Sequence, residues 1–294
     1  MPYTQLLAQQ AGALTPAQRK LFDYILEHDE EAVFLNIHEL SERVGISVAT
    51  VVRLSRALGF KGFPEFQQQL RRLFKEKLTT IARLEKSGAG EAGDGGILRD
   101  VMRRDIDNIT ETLNEVAADD FRRFVDALNT AERIVIVGLR SAHSLAVFMG
   151  VALEFLQREV WTARPGIGDM WDRMFRLSTE DVVVGISFPR YTRETVQALA
   201  YAKGRSIRAL AITDSPVSPL ARHADVVLTA RCKMDSFVES FTAPLSLINA
   251  VVTAVGLCRK QETLSGLKQL EELWRDRSVY FDGDNGHGGR PRRR

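Results

Sequence analysis

The sequence predicts two units of different class: an all-α helix-turn-helix head, then an α/β doubly wound parallel five-stranded sheet. Three observations lead there. Residues 36–60, NIHELSERVGISVATVVRLSRALGF, hold two helical apolar periodicities separated by a glycine turn. Residues 86–96, KSGAGEAGDGG, have five glycines and no bulky apolar side chain, which marks a flexible linker. Beyond them, short β-branched runs alternate with helical patterns, the signature of a parallel sheet covered on both faces. The expected boundaries are 1–85 for the head, 86–96 for the linker, 97–281 for the sheet domain and 282–294 for a disordered basic tail.

In the head, Thr15-Pro16-Ala17-Gln18 starts a helix with a cap, a proline at the first helical position and a glutamine that completes the box. That helix runs to about His28 and offers Leu21, Ile25 and Leu26 to its neighbours. Asn36 and Glu39 have capping-box spacing, so the next helix starts at Ile37, with Ile37, Leu40 and Val44 on one face. Gly45 stops it in left-handed backbone and Ile46 fills the turn. Ser47 caps the second helix, whose apolar face is Val51, Leu54 and Leu58. After the turn Gly59-Phe60-Lys61-Gly62, Pro64 opens a helix expected to reach about Leu84.

The sheet domain begins with a helical lead-in over 97–130. Strands are expected at 133–138, 159–164, 181–186, 207–212 and 225–230, with helices at about 142–157, 168–177, 192–203, 217–223 and 237–275.

With 45% hydrophobic residues in 294, the chain supports two cores. A net charge of +2 excludes a global polycation, so any nucleic-acid affinity must be local. Such a patch exists. Between 53 and 77, Arg53, Arg56, Lys61, Arg71, Arg72, Lys75 and Lys77 are opposed only by Glu65 and Glu76. Ser47, Val48, Thr50, Arg53 and Arg56 near the start of the second helix, with Lys61 beyond it, are the expected DNA contacts. The same pattern also fits two helices that never touch nucleic acid, with Ser47 serving as a cap alone. Cys232 and Cys258 are too few and too far apart for a disulfide framework or a metal knuckle, and both read as small buried hydrophobes. No secretion signal and no bilayer-spanning run is read, so a cytoplasmic protein is expected.

The segments LTPAQRKLFDYILEH and ISVATVVRLSRALGFKGFPEFQQQL resemble the helix-turn-helix domain of bacterial RpiR (MurR/RpiR) transcriptional regulators. IVIVGLRSAHSLA and GISFPRYTRETV resemble the ligand loops of a SIS (sugar isomerase) domain, the phosphosugar-binding doubly wound fold of that family. Both loops depart from the pattern. Where SIS domains have G-x-G-x-S, this chain has Gly138-Leu139-Arg140-Ser141-Ala142. Where they have S-x-S-G-x-T, it has Ser187-Phe188-Pro189-Arg190-Tyr191-Thr192. Arginine stands at one glycine position in each.

Strand order 2-1-3-4-5 places the ligand crevice between the first and third strands, at their carboxyl ends, where both loops emerge. Arg140 and Arg190 would there grip one carboxylate or phosphate. Gly138, Ser141, Ser187, Tyr191 and Thr192 complete the expected effector site, beside a helix N-terminus that favours an anion. The alternative is that the arginines pair with Glu194 or Glu154 and that Thr192 only caps a helix. Glu194 stands where SIS enzymes often keep an acid, though a first-turn glutamate also suits the helix dipole. His143, His38, the Asp119-Asp120 pair and the Met170, Trp171, Met174 group read as structural.

The expected function is a DNA-binding regulator whose SIS-like domain senses an anionic carbohydrate-derived metabolite, a sugar phosphate or sugar acid. It would bind operator double-stranded DNA as a homodimer or homotetramer, without cofactor, metal or membrane, and would not be an enzyme. The lead-in helix near 97–116 and the run Leu245-Leu247-Ile248-Ala250-Val251-Val252 are the candidate interfaces. The alternative is a phosphosugar isomerase with a helical accessory domain.

Overall fold

The computed structural model describes residues 14–77, 81, 94–156, 158–164, 166, 168–233 and 238–281. Five described helices build the head: α1 (Pro16–Glu27), α2 (Asp29–Ala32), α3 (Ile37–Val44), α4 (Val48–Ala57) and α5 (Phe63–Lys77). Both expected capping boxes form. Thr15 Oγ1 accepts from Gln18 N while Gln18 accepts from Thr15 N, and Asn36 and Glu39 do the same for α3. Gly45 takes φ 70°, the left-handed turn that lets α4 swing back across α3. Leu21, Ile25, Leu40, Val44, Val51, Leu54 and Leu58 meet in one core, closed by Phe63, Phe66 and Leu70 of α5.

The sheet domain follows as α6 (Asp94–Glu115), α7 (Ala118–Thr130), β1 (Arg133–Gly138), α8 (His143–Phe155), β2 (Glu159–Thr162), α9 (Met170–Phe175), β3 (Val182–Ile186), α10 (Arg193–Gly204), β4 (Arg208–Thr213), β5 (Val226–Thr229), α11 (Thr242–Cys258) and α12 (Lys260–Asp276). All strand pairs are parallel, in the order β2-β1-β3-β4-β5. Side chains alternate between two layers, as strand geometry requires. Ile134, Ile136, Val182, Val184, Leu210 and Ile212 pack under α7, α8 and α11. Val135, Val137, Val183, Ala209 and Ala211 pack under α9 and α10.

Several boundaries differ from expectation. Asp94, Gly95 and Gly96 open α6 rather than ending a linker, while 86–93, the 82–84 end of the expected helix and the 282–294 tail lie outside the described residues. The lead-in breaks at 116–117, because Asp119 and Asp120 start α7 in their own right and pair with Arg122 and Arg123. Only a single 3-10 turn, Ala221–His223, forms where a helix over 217–223 was expected. The 237–275 run becomes two helices bent by 104°. Leu247, Ile248 and Val251 face the protomer's own core, so the apolar centre of that run is not an interface. Cys232 is buried as expected, but Cys258, at the end of α11, is exposed. Among the described residues no single helix is long and apolar enough to cross a membrane.

The end of the sheet opposite the ligand loops is locked by one ion pair. Asp181, 1% exposed, accepts from Arg133 Nε at 2.9 Å, from Arg133 Nη2 at 2.6 Å and from the Ser178 N–H at 2.6 Å. Burial alone would raise the Asp181 pKa, but the bonds from Arg133 and Ser178 together outweigh it and hold the carboxyl below the usual range.

The turn before α3 is held from two sides. Arg71 Nε donates to the Val33 carbonyl at 3.0 Å and Gln67 Nε2 to the Leu35 carbonyl at 2.5 Å, both from α5. Between them, the Phe34 carbonyl accepts from Arg222 of the sheet domain. Burial, then the charge of Arg222, lower the Arg71 pKa.

Candidate functional site

On the head, α4 presents Ser47, Arg53 and Arg56 to solvent, with Val48 half-buried at its first turn and Lys61 exposed just beyond it. Thr50 does not join this surface. It is 6% exposed, shares a 2.9 Å hydrogen bond with Ser47 Oγ and accepts from Arg53 Nη2 at 3.4 Å. Thr50 lies one helical turn before Leu54 and next to Val51, both fully buried, so its side chain turns toward the core while its N–H donates to the Ser47 cap. Thr50 therefore lies behind the surface, in contact with two of its exposed members.

The sheet brings the two ligand loops together. Gly138 and Ile186, the last residues of β1 and β3, are register partners, so the loops leave adjacent strands side by side. Gly138 is required there. A Cβ would lie 2.8 Å from both the Ala142 carbonyl oxygen and the Ala146 Cβ, where the loop folds back. His143 Nδ1 lies 3.2 Å from the Gly138 carbonyl oxygen and ties the first helical turn to the strand end.

Arg140 has φ 57° and Arg190 has φ 68°, both in the left-handed region that costs a side-chain-bearing residue about 1–2 kcal/mol. Two other described non-glycine residues share it, Ser206 and Ser278, and each follows a helix C-terminus, where that conformation is common. Arg140 and Arg190 follow strands. Both are exposed, and among the described residues neither guanidinium forms a hydrogen bond or ion pair. The pairing with Glu194 or Glu154 that the sequence allowed is thus not formed.

The other members are graded by burial. Ser141 is exposed and Ser187 is 3% exposed. Ser187 Oγ accepts from the Thr192 N–H at 3.2 Å and pins the start of α10 to the end of β3. Thr192 precedes α10 but its side chain does not cap it. Tyr191 Oη donates to Asp214 at 2.8 Å to one carboxylate oxygen and 3.1 Å to the other.

Asp214 was missed by sequence reasoning. It is 8% exposed, follows Thr213 at the carboxyl end of β4, and also accepts from Thr213 Oγ1 at 3.1 Å. Its position one strand along from β3 was the available signal, since ligands meet such sheets beyond their carboxyl ends. Phe34 was missed too, and its ring lies edge-on to Tyr191 with centroids 5.6 Å apart. No periodicity marks a contact between residues so distant in sequence.

Two family models divide the chain. The helix-turn-helix domain of the rpiR family matches residues 1–77 and the SIS domain matches residues 127–254. The regulator HexR of Escherichia coli is 25% identical over 282 residues, covering 94% of this chain and 95% of that protein. The sugar isomerase domain of an RpiR transcription factor from Sphaerobacter thermophilus is 30% identical, with a TM-score of 0.57 over 58% of this chain and 96% of that one. NanR of Vibrio vulnificus, solved in complex with ManNAc-6P, shares the fold over 92% of this chain and 97% of its own at 21% identity, TM-score 0.62. With an rpiR-type helix-turn-helix head joined to a SIS sheet domain, the chain belongs to the RpiR family of helix-turn-helix transcriptional regulators.

Proposed function

We propose that this regulator binds operator DNA through Ser47, Val48, Arg53, Arg56 and Lys61, with Thr50 buttressing Ser47 and Arg53 from behind. Its SIS domain takes a small anionic carbohydrate derivative, a sugar phosphate or sugar acid, between the β1 and β3 loops. The observation that carries this reading is the pair Arg140 and Arg190: two unpartnered guanidiniums, each in strained backbone, on loops from paired strand ends. Backbone strain of this kind is retained where the residue serves a ligand. Ser187, Tyr191 and Thr192 flank them as hydroxyl partners, Ser141 lies on the facing loop, and Gly138 sets that loop's path. The sugar phosphate bound by NanR supports the ligand class.

The chain acts by binding and not by turnover, since bulky arginines replace the small residues that let a ligand approach the backbone. It works as a homodimer or homotetramer, because paired heads multiply contact on a palindromic site. Leu98, Met102, Ile106 and Leu113 on α6, and Phe148 and Val151 on α8, are exposed apolar groups that suit self-association.

The test is selection of genomic fragments by the full chain, followed by binding measured against salt and against a panel of sugar phosphates and sugar acids. Sequence-selective binding with a steep salt slope, relieved or enhanced by one anionic sugar, is expected. Salt-insensitive binding, or steady turnover of a sugar phosphate, would overturn the reading.

A further inference from the structure

Tyr191 belongs to two contacts at once. On the β3 loop, between Arg190 and Thr192, its hydroxyl donates to Asp214 at 2.8 Å, a bond about which the ring can pivot, and its ring packs edge-on against Phe34 of the head at an interplanar angle of 74°. Two further contacts join the units beside it. Arg222 donates to the Phe34 carbonyl, and Val217 packs against the head core. Elsewhere a cleft of about 780 Å3 separates the two units, lined by Glu27, Asp29 and Arg43 on the head and by Asp214, Asp225 and Arg231 on the sheet side. Among the described residues, the head therefore meets the sheet domain at Phe34, beside the effector loop.

We propose that the 187–192 loop transmits effector binding to the head: an anion taken by Arg190 and the start of α10 draws Tyr191 away from Phe34 and loosens the joint. The inference rests on the effector reading above and names how that site regulates. Three features support it. The Thr192 N–H is engaged by Ser187 Oγ at 3.2 Å, so an anion that takes this N–H must open that bond and move the residue next to Tyr191. Arg190 stands in left-handed backbone, so rotation out of it releases strain and gives the loop a second arrangement. The backbone at Phe34 is held against following, because the Val33 and Leu35 carbonyls on either side of it accept from Arg71 and Gln67 of the head's own α5. The contact breaks rather than travels.

The joint leaves Ser47, Arg53 and Arg56 exposed. Its release therefore changes where the heads sit, not whether their DNA surface is open. Coupling is reciprocal, so weakening the joint must also change anion affinity.

The experiment uses the full chain with inorganic phosphate as probe. It combines hydrogen–deuterium exchange with calorimetry of the parent, Phe34→Ala and Arg222→Gln; the latter is an exposed change that keeps the head core intact. Phosphate should slow exchange over 187–192 and speed it about threefold over 33–35, and each variant should bind phosphate about threefold more tightly. Protection of 187–192 with unchanged exchange at 33–35 and parental affinity in both variants overturns this inference and leaves the effector site standing. No protection at 187–192 overturns both.

Discussion

Arg140 and Arg190 hold the same left-handed backbone, at φ 57° and 68°, on loops leaving the partnered residues Gly138 and Ile186. Each occupies a position that is glycine in the pattern its loop resembles. Glycine adopts this region at no steric cost, whereas arginine meets its own carbonyl there. The pair thus carries a conformational penalty at the ends of two adjacent strands, together with two charges that no carboxylate among the described residues pairs with.

Restoring glycine should separate stability from binding. Arg190→Gly is expected to raise stability by about 1 kcal/mol in urea denaturation, the strain relieved less the added chain entropy. Its affinity for the effector should fall at least about tenfold, as for Arg140→Ala, because a charge-assisted contact contributes about 1.5–3 kcal/mol. A variant that gained stability and kept parental affinity in calorimetry would make the arginine dispensable to the site.

On the head, Arg53→Ala should weaken operator binding by about 1–3 kcal/mol and relax sequence preference at one base position. Lys61→Ala should weaken specific and non-specific binding alike and reduce the salt slope by about 1. Thr50→Val, which removes the hydroxyl shared with Ser47 and Arg53, should reduce affinity less than Arg53→Ala does. Binding titrations at several salt concentrations distinguish the three.

Gly138→Ala places a methyl 2.8 Å from the Ala142 carbonyl oxygen and the Ala146 Cβ. Neither is the free end of a flexible side chain, so the β1 loop must shift. A loss of about 1–3 kcal/mol in thermal or urea unfolding is expected, with weaker effector binding at Arg140 as a consequence.

The Asp181–Arg133 pair should impose an acid limit. A carboxyl whose pKa is lowered by folding contributes stability that is present above its unfolded value of about 3.9 and lost as pH falls through the folded value. Asp181→Asn should cost about 2 kcal/mol at neutral pH, a figure reduced because the Arg133 side chain is 36% exposed. Urea midpoints of parent and variant should converge as pH falls below about 4.

Helix starts and strands were legible because each rests on local chemistry. Thr15, Asn36 and Gly45 act within four residues of themselves, and β1 at 133–138 matches its β-branched run residue for residue. The 217–223 segment was misread because Pro219 and the small residues around it satisfy their backbone through turns and the 3-10 turn at 221–223, which a helical pattern does not distinguish. In the site, Arg140 and Arg190 were readable as departures from a pattern, but their strain was not, since φ is a property of the closed loop. Thr50 was placed on the wrong side because its hydroxyl read as a polar contact, although it lies one turn before Leu54 and so at the edge of the apolar face. Asp214 and Phe34 depended on β4 and the head arriving beside Tyr191, and tertiary proximity leaves no trace in residue spacing.

The three anchored carbonyls at Val33, Phe34 and Leu35 bear on modular engineering. Regulators of this architecture invite head-swapping, with the cut made in the connecting segment. In this protein that cut would separate Phe34 from Arg222, Val217 and Tyr191, which recognise it from the other unit. A chimera would keep its cap boxes, its core and its recognition helix and still lose the coupling proposed above between effector loop and head. A faithful graft must carry residues 34, 191, 217 and 222 as one inherited set, although they lie on opposite sides of the apparent seam.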